Sequence, residues 1–552
     1  MNPARDIPVS TSARRRSRPL RQVVEFFACL ALLVTLCRGF VTEGYMIETG
    51  SMAPSLLGYH KRAVCPSCGC LFAVEDSQGS GPATCPNCGL SDISMDRLLR
   101  NEGDQLLVER CAFDLHRPQR WDVVVFRNPA KPTQAYVKRL VALPGEELQI
   151  RDGDVYISGK IQVKSLPKQR GLRIPVYDND NQPSAEDKQW RPRWLPDQNS
   201  KRWQVRGTTF FYDGLSDRKS TAGTPSELEW VRYRHWVRQS PGQATSVPLE
   251  RLPATASLPA APQDFLKFDA QKKLLVCQGA LSEEFRDRLL TQDSSPEFQQ
   301  AINDLYEASH IAPITDGYGY NRPQPGDASY EVRDLLLAFS VHIEQGAGQF
   351  QVGITDGRHD LNCIFDVADK QVRLTDATSG KVLQSGQLPQ RMLEDFVELE
   401  VSLMDHQALI AVNGRLVLDP WQAPEEATAA GGTSGKNRGS TPWRPVRFGA
   451  RDLNVEVSHL RLFRDVFYTP GTGRRGADTP YQLQADEYFV LGDNSPVSRD
   501  SRSWADGDVL KEEMFIGRPF LVHLPSIRKR LLIGQRKTEI RVPDLSRIRY
   551  IP

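Results

Sequence analysis

The feature that most constrains this chain is a 19-residue stretch near its N-terminus, residues 23–41, whose only charged residues are Glu25 and Arg38. At 1.5 Å per residue, a helix of that length spans roughly 28 Å, about the thickness of the hydrocarbon core of a bilayer. The two charges lie near the ends of the stretch, where long side chains reach the membrane interface. We therefore predict a single transmembrane helix that anchors the chain.

A cleaved signal peptide is the alternative interpretation of this stretch. Its charge-free part, residues 26–37, has the length of a signal-peptide core, but residues 37–40 (Cys-Arg-Gly-Phe) contain no small-x-small cleavage site. Six arginines precede the stretch: Arg5, Arg14, Arg15, Arg16, Arg18 and Arg21. Because basic flanks stay in the cytoplasm, we predict a single-pass protein of the cell inner (cytoplasmic) membrane with residues 1–22 inside and the rest outside.

The remainder of the chain has the composition of ordinary globular domains. The 552 residues correspond to three or four domains, and 39% of them are apolar and 25% charged, which excludes a polytopic membrane protein and wholesale disorder. The formal net charge of +2 is too balanced for a protein that binds nucleic acid over its whole surface. We predict no nucleic-acid partner.

Two short segments far apart in the chain carry residues suited to catalysis. Ser51 follows Gly50 in residues 46–56, and the glycine allows a tight turn that exposes the hydroxyl, although Gly-Ser-x-x-Pro is also an ordinary loop sequence. Residues 136–145 form a β-type run in which period-two alternation places Lys138 among apolar neighbours. Burial there lowers the pKa of a lysine, whereas a lysine that snorkels from a half-buried strand is the commoner case.

A third segment, residues 488–502, combines an apolar strand with a Gly-Asp-Asn turn and a dense set of polar side chains. We expect Asp500 and Arg502 to pair and to hold the turn, and Ser498 to reach a neighbouring amine. A salt-bridged loop without catalytic function has the same appearance.

Taken together, in this order and behind a predicted span, the three segments closely resemble the sequence boxes of the type I signal peptidases, the serine/lysine leader peptidases of bacteria. Residues 121–129 look like the intermediate strand of that family. The resemblance implies a mostly antiparallel β peptidase domain beside the membrane, formed here by residues 42–164 and 484–526. One departure is Ser495-Pro496, where family members often carry an arginine, and this puts only loop detail in doubt.

The resemblance also implies the role of each site residue. Ser51 is the nucleophile, Lys138 the general base, and Ser498 the hydroxyl that orients the lysine amine. The hydroxyl of Thr49 joins the backbone N–H of Ser51 in an oxyanion hole. The residues that build and brace the site are Gly492, Asp493, Asn494, Asp500 and Arg502. Catalysis of this type needs no cofactor.

The residue types fit this chemistry. A serine hydroxyl is a weak nucleophile until a base removes its proton, and a lysine can do so near pH 7 only if burial keeps it neutral. None of the nine histidines lies within the three boxes, although His60 is close to Ser51 in the sequence. The sequence therefore favours a Ser-Lys dyad over a Ser-His-Asp triad.

Two near-identical Cys-Pro-x-Cys-Gly motifs lie in residues 62–92. They carry Cys65, Cys68, Cys85 and Cys88, and 16 residues separate the pairs, which is the spacing of a four-thiolate zinc ribbon. Two disulfides are the alternative, because the location is predicted to be extracytoplasmic. Cys70 is a further thiol close to the site. We predict a structural zinc ion and place the ribbon beside the substrate groove.

A much larger insertion, residues 165–483, separates the lysine segment from the Gly-Asp-Asn segment. It has strand patterns at residues 335–343, 350–354, 362–367, 371–375, 396–403 and 455–466, and Asn413-Gly414 predicts a type I′ hairpin turn. We expect linkers or long loops at residues 166–206, 240–263 and 423–441. The strand rhythm resembles a β-sandwich of the concanavalin or laminin-G type, which implies a glycan or protein ligand, although a spacer module is an equal alternative.

The fold class that follows is mainly β, with one N-terminal transmembrane helix, a divided peptidase domain, a zinc ribbon, an inserted sandwich that we expect to be separable, and a basic tail at residues 527–552. That tail is either a solvated end or a contact to anionic lipid headgroups. We predict a membrane-bound serine endopeptidase that removes signal peptides from exported preproteins, with those peptides and the bilayer as partners. The alternatives are a membrane-anchored binding scaffold with an inactive core, and a self-cleaving repressor, which would need a DNA-binding domain and no span.

Overall fold

The computed structural model describes most of the chain, and its predicted mainly β class is confirmed. The described residues are 18–36, 41–76, 81–216, 226–238, 244–256, 258, 265–322, 329–424, 442–470, 474–477, 479–505, 507–533 and 536–552. The predicted loop at residues 423–441 lies almost entirely outside them.

The N-terminal helix spans Arg18–Leu36, so it begins before the predicted anchor at residues 23–41 and ends within it. Residues 37–40 of that stretch are outside the described residues. Across the part of the chain that the structure describes, no helix has both the length and the apolar character that crossing a membrane requires.

An eight-stranded sheet contains strands of two of the three candidate catalytic segments and the strand that leads into the segment of Ser51. The strand Lys131–Ala142, called here the lysine strand, lies between Val123–Asn128 and Glu487–Leu491 and is antiparallel to both. The other strands of this sheet are Thr42–Met46, Gln105–Glu109, Leu510–Lys511, Phe515–His523 and Arg549–Tyr550. Strand pairing thereby places the Gly-Asp-Asn turn beside the lysine strand, although residues 165–483 separate the two in the sequence.

Both faces of this sheet are buried at the strand Val123–Asn128. Val123 and Val125 pack into one apolar cluster, whereas Val124 and Phe126 pack into another. Because successive side chains of a strand point to opposite faces, a sheet covered on both sides needs a continuous apolar run rather than an alternating one. Residues 123–126 have such a run.

The insertion forms a fourteen-stranded sheet around two very long strands, Leu335–Thr355 and Val446–Arg464, which pair with each other along nearly their whole lengths. The remaining strands are Ile174–Asp178, Trp194–Pro196, Trp203–Arg206, Thr209–Asp213, Glu229–Tyr233, Asp360–Asp366, Gln371–Asp376, Val382–Gln387, Val397–Met404, Gln407–Val412, Arg415–Leu416 and Trp421–Gln422. The two strands predicted at residues 335–343 and 350–354 are one strand, because register shifts absorb the polar residues between them.

The predicted hairpin turn is present. Asn413 and Gly414 have φ angles of 47° and 78°, and both positive values are those that a type I′ turn requires. Most side chains that face inward from the fourteen-stranded sheet belong to one large apolar cluster, which also includes the cysteine motifs. The assignment of this unit to a concanavalin or laminin-G type sandwich stays a prediction.

Smaller elements complete the described structure. Three-stranded sheets consist of His60–Val64, Leu71–Glu75 and Arg100–Asn101, and of Ala244–Pro248, Leu266–Asp269 and Leu274–Gln278; a four-stranded sheet consists of Glu147–Arg151, Asp154–Ile157, Lys160–Ile161 and Tyr481–Gln482. The further α-helices are Ala112–Leu115, Leu166–Leu172, Glu283–Leu290 and Pro296–Ser309, and the 3₁₀ turns are Gly50–Met52, Gln390–Leu393, Glu512–Met514 and Leu545–Arg547.

Two stretches predicted as linkers or long loops, residues 166–206 and 240–263, contain regular elements, and the second contains the strand Ala244–Pro248. The stretch 166–206, predicted as a linker, contains one helix and three strands, because its Trp and Tyr side chains are buried in the large core. The basic C-terminal segment forms a hairpin of Ser526–Ile533 and Arg536–Pro543 and then returns to the eight-stranded sheet, where Arg547 pairs with the buried Asp104.

The insertion is joined to the parts of the chain that flank it by more than its two chain connections. Lys164 is buried and pairs with Asp405 and Asp465 of the insertion. The strand Tyr481–Gln482 pairs with Glu147–Arg151, and one apolar cluster combines side chains from both units. The two units therefore share a buried and charged interface.

Candidate active site

Ser51 lies in the 3₁₀ turn Gly50–Met52, directly after an extended residue, Thr49. The side chain of Met52 is buried and anchors the turn in the core beneath it. Gly50 is required by close packing, because a Cβ atom at this position would lie 2.5 Å from Cε1 of Tyr320. The turn thus presents the hydroxyl of Ser51 while its two neighbours are held in the core.

Lys138 approaches Ser51 from the lysine strand. Its Nζ lies 2.6 Å from Oγ of Ser51, and the residue is only 3% exposed. Burial lowers the pKa of Lys138 to about 8, against the opposing effect of the negative charges of Asp500 and Asp493. Because the amine is partly neutral near pH 7, it can accept the proton of the hydroxyl that it contacts.

Arg139, the next residue of the strand, points to the opposite face and is also buried. Its guanidinium donates two hydrogen bonds to the carboxylate of Asp493, at 2.8 and 2.7 Å, and one to the carbonyl of Trp121 at 2.8 Å. This bidentate pair fixes the Gly-Asp-Asn turn on the lysine strand. The sequence offered no signal for it, because the two residues are 354 positions apart.

The expected ion pair between Asp500 and Arg502 is present, with two hydrogen bonds of 2.9 and 2.8 Å and both side chains fully buried. Burial opposes ionisation of Asp500, but the charge and the hydrogen bonds of Arg502 outweigh it and lower the pKa of this carboxyl. Asp500 also accepts a hydrogen bond of 3.0 Å from the backbone N–H of Gly492. The pair therefore braces both ends of the loop 492–502.

Among the described residues, neither Ser498 nor Thr49 makes a short hydrogen bond to Ser51 or Lys138. Ser498 is 6% exposed, and within the described chain its Oγ makes no hydrogen bond of normal geometry, although the hydroxyl helps to lower the pKa of Asp500. It packs so closely on Gly492 that a Cβ there would lie 2.2 Å from its Oγ. Oγ1 of Thr49 donates a long hydrogen bond of 3.4 Å to Oγ of Ser51. Their roles toward the lysine and an oxyanion stay predictions.

His60, the alternative base, lies in the strand His60–Val64 and is 2% exposed. Its Nδ1 is 2.8 Å from the carbonyl oxygen of Gly58, and burial lowers its pKa. Oγ of Ser51 is therefore contacted by a lysine and not by this histidine.

Residues of the insertion also lie around Ser51. The sequence did not predict these contacts. Tyr318 Oη donates a hydrogen bond of 2.5 Å to the carbonyl of Asp493, and Asn321 exchanges two hydrogen bonds of 2.7 Å with Asn494. Asn494 in turn donates from its side chain to the carbonyl of Gly50 at 2.9 Å and from its backbone to the carbonyl of Ser51 at 3.0 Å.

The four cysteines of the two motifs come together in the structure. Sγ of Cys65 lies 3.6 Å from Sγ of Cys88, and Sγ of Cys68 lies 3.7 Å from Sγ of Cys85, with all four sulfurs within 4.8 Å of one another. Disulfide sulfurs are about 2.05 Å apart. Sulfurs bound tetrahedrally to a zinc ion at 2.3 Å lie about 3.8 Å apart, so the arrangement fits a metal better than two bridges.

Three aspartates form a second group of possible metal ligands. This acidic cluster lies where the insertion meets the small four-stranded sheet. Carboxylate oxygens of Asp154, Asp334 and Asp405 lie within 4.8 Å of one another. Burial, together with the neighbouring negative charges, raises the pKa of Asp334 to about 8. Protonation of Asp334 therefore relieves the repulsion between the three carboxylates, and a bound cation is not needed to relieve it.

Comparison with known proteins supports the same chemistry. The family model described as signal peptidase, peptidase S26, matches residues 87–220 and 409–524, which include Lys138 and the loop 492–502 and begin after Ser51. Signal peptidase I of Rickettsia canadensis is 29% identical over 135 residues, or 24% of this chain and 41% of the relative. Probable signal peptidase I-1 of Synechocystis is 33% identical over 84 residues, or 14% of this chain and 41% of the relative. The chain thus spans about 41% of the length of these relatives.

Solved structures that are similar to this chain match about a quarter of it. A carbohydrate binding module, CBM66 from Bacillus subtilis, covers 24% of this chain and 72% of its own, with 13% identity and a TM-score of 0.15. The galectin LEC-6 of Caenorhabditis elegans covers 23% of this chain and 81% of its own, with 10% identity and a TM-score of 0.17.

The lowered pKa of Lys138 predicts how hydrolysis depends on pH. Only the neutral amine accepts a proton, so kcat/KM for a peptide substrate should fall as pH drops through about 8. The measurement is a pH profile of kcat/KM between pH 5 and 10. An acid limb near 6.5, the ordinary value of histidine, would contradict lysine as the base and would direct attention to His60.

Proposed function

We propose that this protein is a serine endopeptidase that removes signal peptides from exported preproteins with a Ser51–Lys138 dyad. The observation that carries the proposal is the 2.6 Å contact between Nζ of Lys138 and Oγ of Ser51 in a site with a depressed lysine pKa. The match to the signal peptidase family model and the named relatives support the reaction and the substrate class.

The geometry supports a two-step acyl transfer. Lys138 takes the proton of Ser51 while Oγ attacks the carbonyl carbon of the scissile bond, and the lysine then returns that proton to the leaving amine. Water hydrolyses the resulting ester, again with the lysine as base. Thr49 is the hydroxyl nearest to Oγ, and we assign it to the oxyanion as the resemblance implies.

The alternative of an anchored binding scaffold with an inactive core is not favoured. Burial of a lysine costs desolvation free energy. A binding scaffold has no need of a buried lysine that contacts a serine hydroxyl. A glycan or protein ligand of the large insertion would not alter this chemistry, and such a ligand stays a hypothesis.

The dyad is tested by cleavage of a purified preprotein in detergent. Ser51→Ala and Lys138→Arg should each remove most of the activity, because the first lacks the nucleophile and a guanidinium keeps its charge at any working pH. The double variant should lose little more than either single one, since the two groups act as a unit. Ser498→Ala should lower kcat and leave measurable turnover.

A surface variant provides the matched control for this assay. Lys273→Arg alters a lysine that is paired with Glu250 on the surface of the insertion and should cleave like the wild type. Substantial cleavage by Lys138→Arg would contradict the dyad, and equal, complete inactivity of wild type and all variants would contradict peptidase function.

We also propose that Cys65, Cys68, Cys85 and Cys88 hold a structural zinc ion. The sulfur separations support it, as does the matching backbone of the two motifs: in each, the glycine donates to the carbonyl of the first cysteine at 2.9 Å. Asn87 donates to the carbonyls of Asp178 and Asn181, so the motif packs on the insertion.

The metal is tested by elemental analysis of protein purified without added zinc. We expect about one zinc ion per chain, its loss in Cys85→Ser, and its retention in Cys70→Ser, which removes the neighbouring thiol only. Chelation should lower Tm, because metal binding contributes to folding. Protein without zinc and with four thiols joined as disulfides would overturn the assignment.

Finally, we propose that residues 23–41 anchor the chain in the cytoplasmic membrane with the N-terminus inside. Support comes from the apolar side chains that the N-terminal helix leaves exposed: Val24 is 60%, Phe26 63%, Phe27 61% and Leu32 62% exposed.

This anchor is tested by fractionation of cells that express the full chain. It should sediment with membranes and resist extraction by alkaline carbonate, and a chain that lacks residues 1–41 should stay in the supernatant. A full-length chain recovered in the soluble fraction would contradict the anchor.

A further inference from the structure

We propose that residues 316–321 of the insertion, called here the bracing segment, hold Ser51 in its reactive position through Asn321 and Tyr318. Both act as positioning residues, because their hydrogen bonds go to Asp493 and Asn494 of the loop 492–502. The inference rests on the proposed peptidase function and extends the catalytic unit into the insertion.

The amide pair between Asn321 and Asn494 is the first step of the argument. Nδ2 of each residue donates to Oδ1 of the other at 2.7 Å, so the pair is reciprocal. Asn494 is fully buried, and its second amide hydrogen is directed to the carbonyl of Gly50 at 2.9 Å. Asn321 therefore fixes the orientation of the Asn494 amide. Because that amide is buried, water cannot replace the hydrogen bonds that Asn321 provides.

Asn494 is the second step, because it holds both sides of the nucleophile. Its side chain binds the carbonyl of Gly50, and its backbone N–H binds the carbonyl of Ser51 at 3.0 Å. Rotation of the Asn494 amide would release one of these two restraints on the 3₁₀ turn. A small displacement of Oγ from Nζ of Lys138 is sufficient to slow proton transfer, since reacting groups need near-exact placement.

Tyr318 and Tyr320 act from the same segment on neighbouring atoms. Oη of Tyr318 donates to the carbonyl of Asp493, the residue whose carboxylate is held by Arg139. The ring of Tyr320 lies against Gly50 so closely that no side chain fits there. The bracing segment therefore contacts both the turn 492–494 and the turn of Ser51.

The bracing segment is itself rigidly held. Arg464, at the end of the long strand Val446–Arg464, is 1% exposed and donates to the carbonyls of Asp316 and Gly317 at 2.8 and 3.1 Å. Its guanidinium also lies 4.7 Å from the ring centre of Tyr318. The position of the segment is thus determined by the fourteen-stranded sheet.

The same segment is an addition relative to the signal peptidase family. The family model matches residues 87–220 and 409–524 and leaves out 316–321. These contacts consequently belong to the inserted part of the chain, and they conflict with the expectation that the insertion is separable from catalysis.

The test compares Asn321→Ala with Asn494→Ala, the double variant, and the control Asn179→Ala in the full chain. Asn179 is a buried asparagine of the insertion that donates to the carbonyl of Thr208 and has no contact with the site. We expect Asn321→Ala to lower kcat about tenfold to a hundredfold at nearly unchanged KM. The double variant should resemble Asn494→Ala, because the effects of coupled residues are not additive.

A second measurement does not depend on activity. Amide hydrogen exchange of peptides that cover residues 48–58 should become faster in Asn321→Ala and remain unchanged in Asn179→Ala. Asn321→Asp keeps the acceptor for Nδ2 of Asn494 but sets a carboxylate oxygen against Oδ1 of Asn494, so it should not recover the kcat. If Asn321→Ala does not fold, Tyr318→Phe, which loses only a hydroxyl, replaces it with the same expectations.

Three results would overturn the inference: wild-type kcat in Asn321→Ala, losses that add fully with those of Asn494→Ala, or exchange near Ser51 that does not change. Failure of the proposed function has a different signature. In that case the wild type cleaves no preprotein, while exchange near Ser51 still responds to Asn321→Ala.

Discussion

The burial of one lysine is the constraint on which the rest of this site depends. An ammonium group loses its hydration on burial, and that loss is the main cause that brings the pKa of Lys138 down to about 8, with a smaller contribution from the positive charge of Arg502. Nearby carboxylates oppose the effect, so each is paired: Asp493 with Arg139, and Asp500 with Arg502. These buried ion pairs hold the loops in place, and among the described residues the close contact of the lysine amine is the hydroxyl of Ser51.

The sheet explains how two adjacent cations take different functions. Period-two alternation sends Lys138 and Arg139 to opposite faces of the lysine strand, and the apolar clusters on either side bury both faces. One face carries the reacting amine and the other carries the structural ion pair with Asp493. The antiparallel neighbour Glu487–Leu491 then delivers the Gly-Asp-Asn turn to the same place, which makes the register of these two strands decisive for the geometry.

Residues 165–483 and the eight-stranded sheet are held together by shared contacts. Lys164 is shared between the units through Asp405 and Asp465, and Tyr318 lies in a cluster with side chains of the eight-stranded sheet. The cysteine motifs pack on the insertion as well, and Pro86 would collide with any side chain at Gly319. Interfaces of this kind bury charge and apolar surface together, so the positions of the separate parts depend on one another.

The sequence by itself determined the mainly β class and the type I′ turn at Asn413-Gly414, and it indicated the residues proposed as the dyad, because strand alternation, turn chemistry and short motifs are local properties. The spacing of the two motifs likewise predicted that Cys65, Cys68, Cys85 and Cys88 belong to one site. Only the tertiary structure decided the pairing of Arg139 with Asp493 and of Asn321 with Asn494, and the single strand Leu335–Thr355. Such contacts join residues more than a hundred positions apart or depend on register shifts, and which buried polar groups meet is set by the packing of the whole chain.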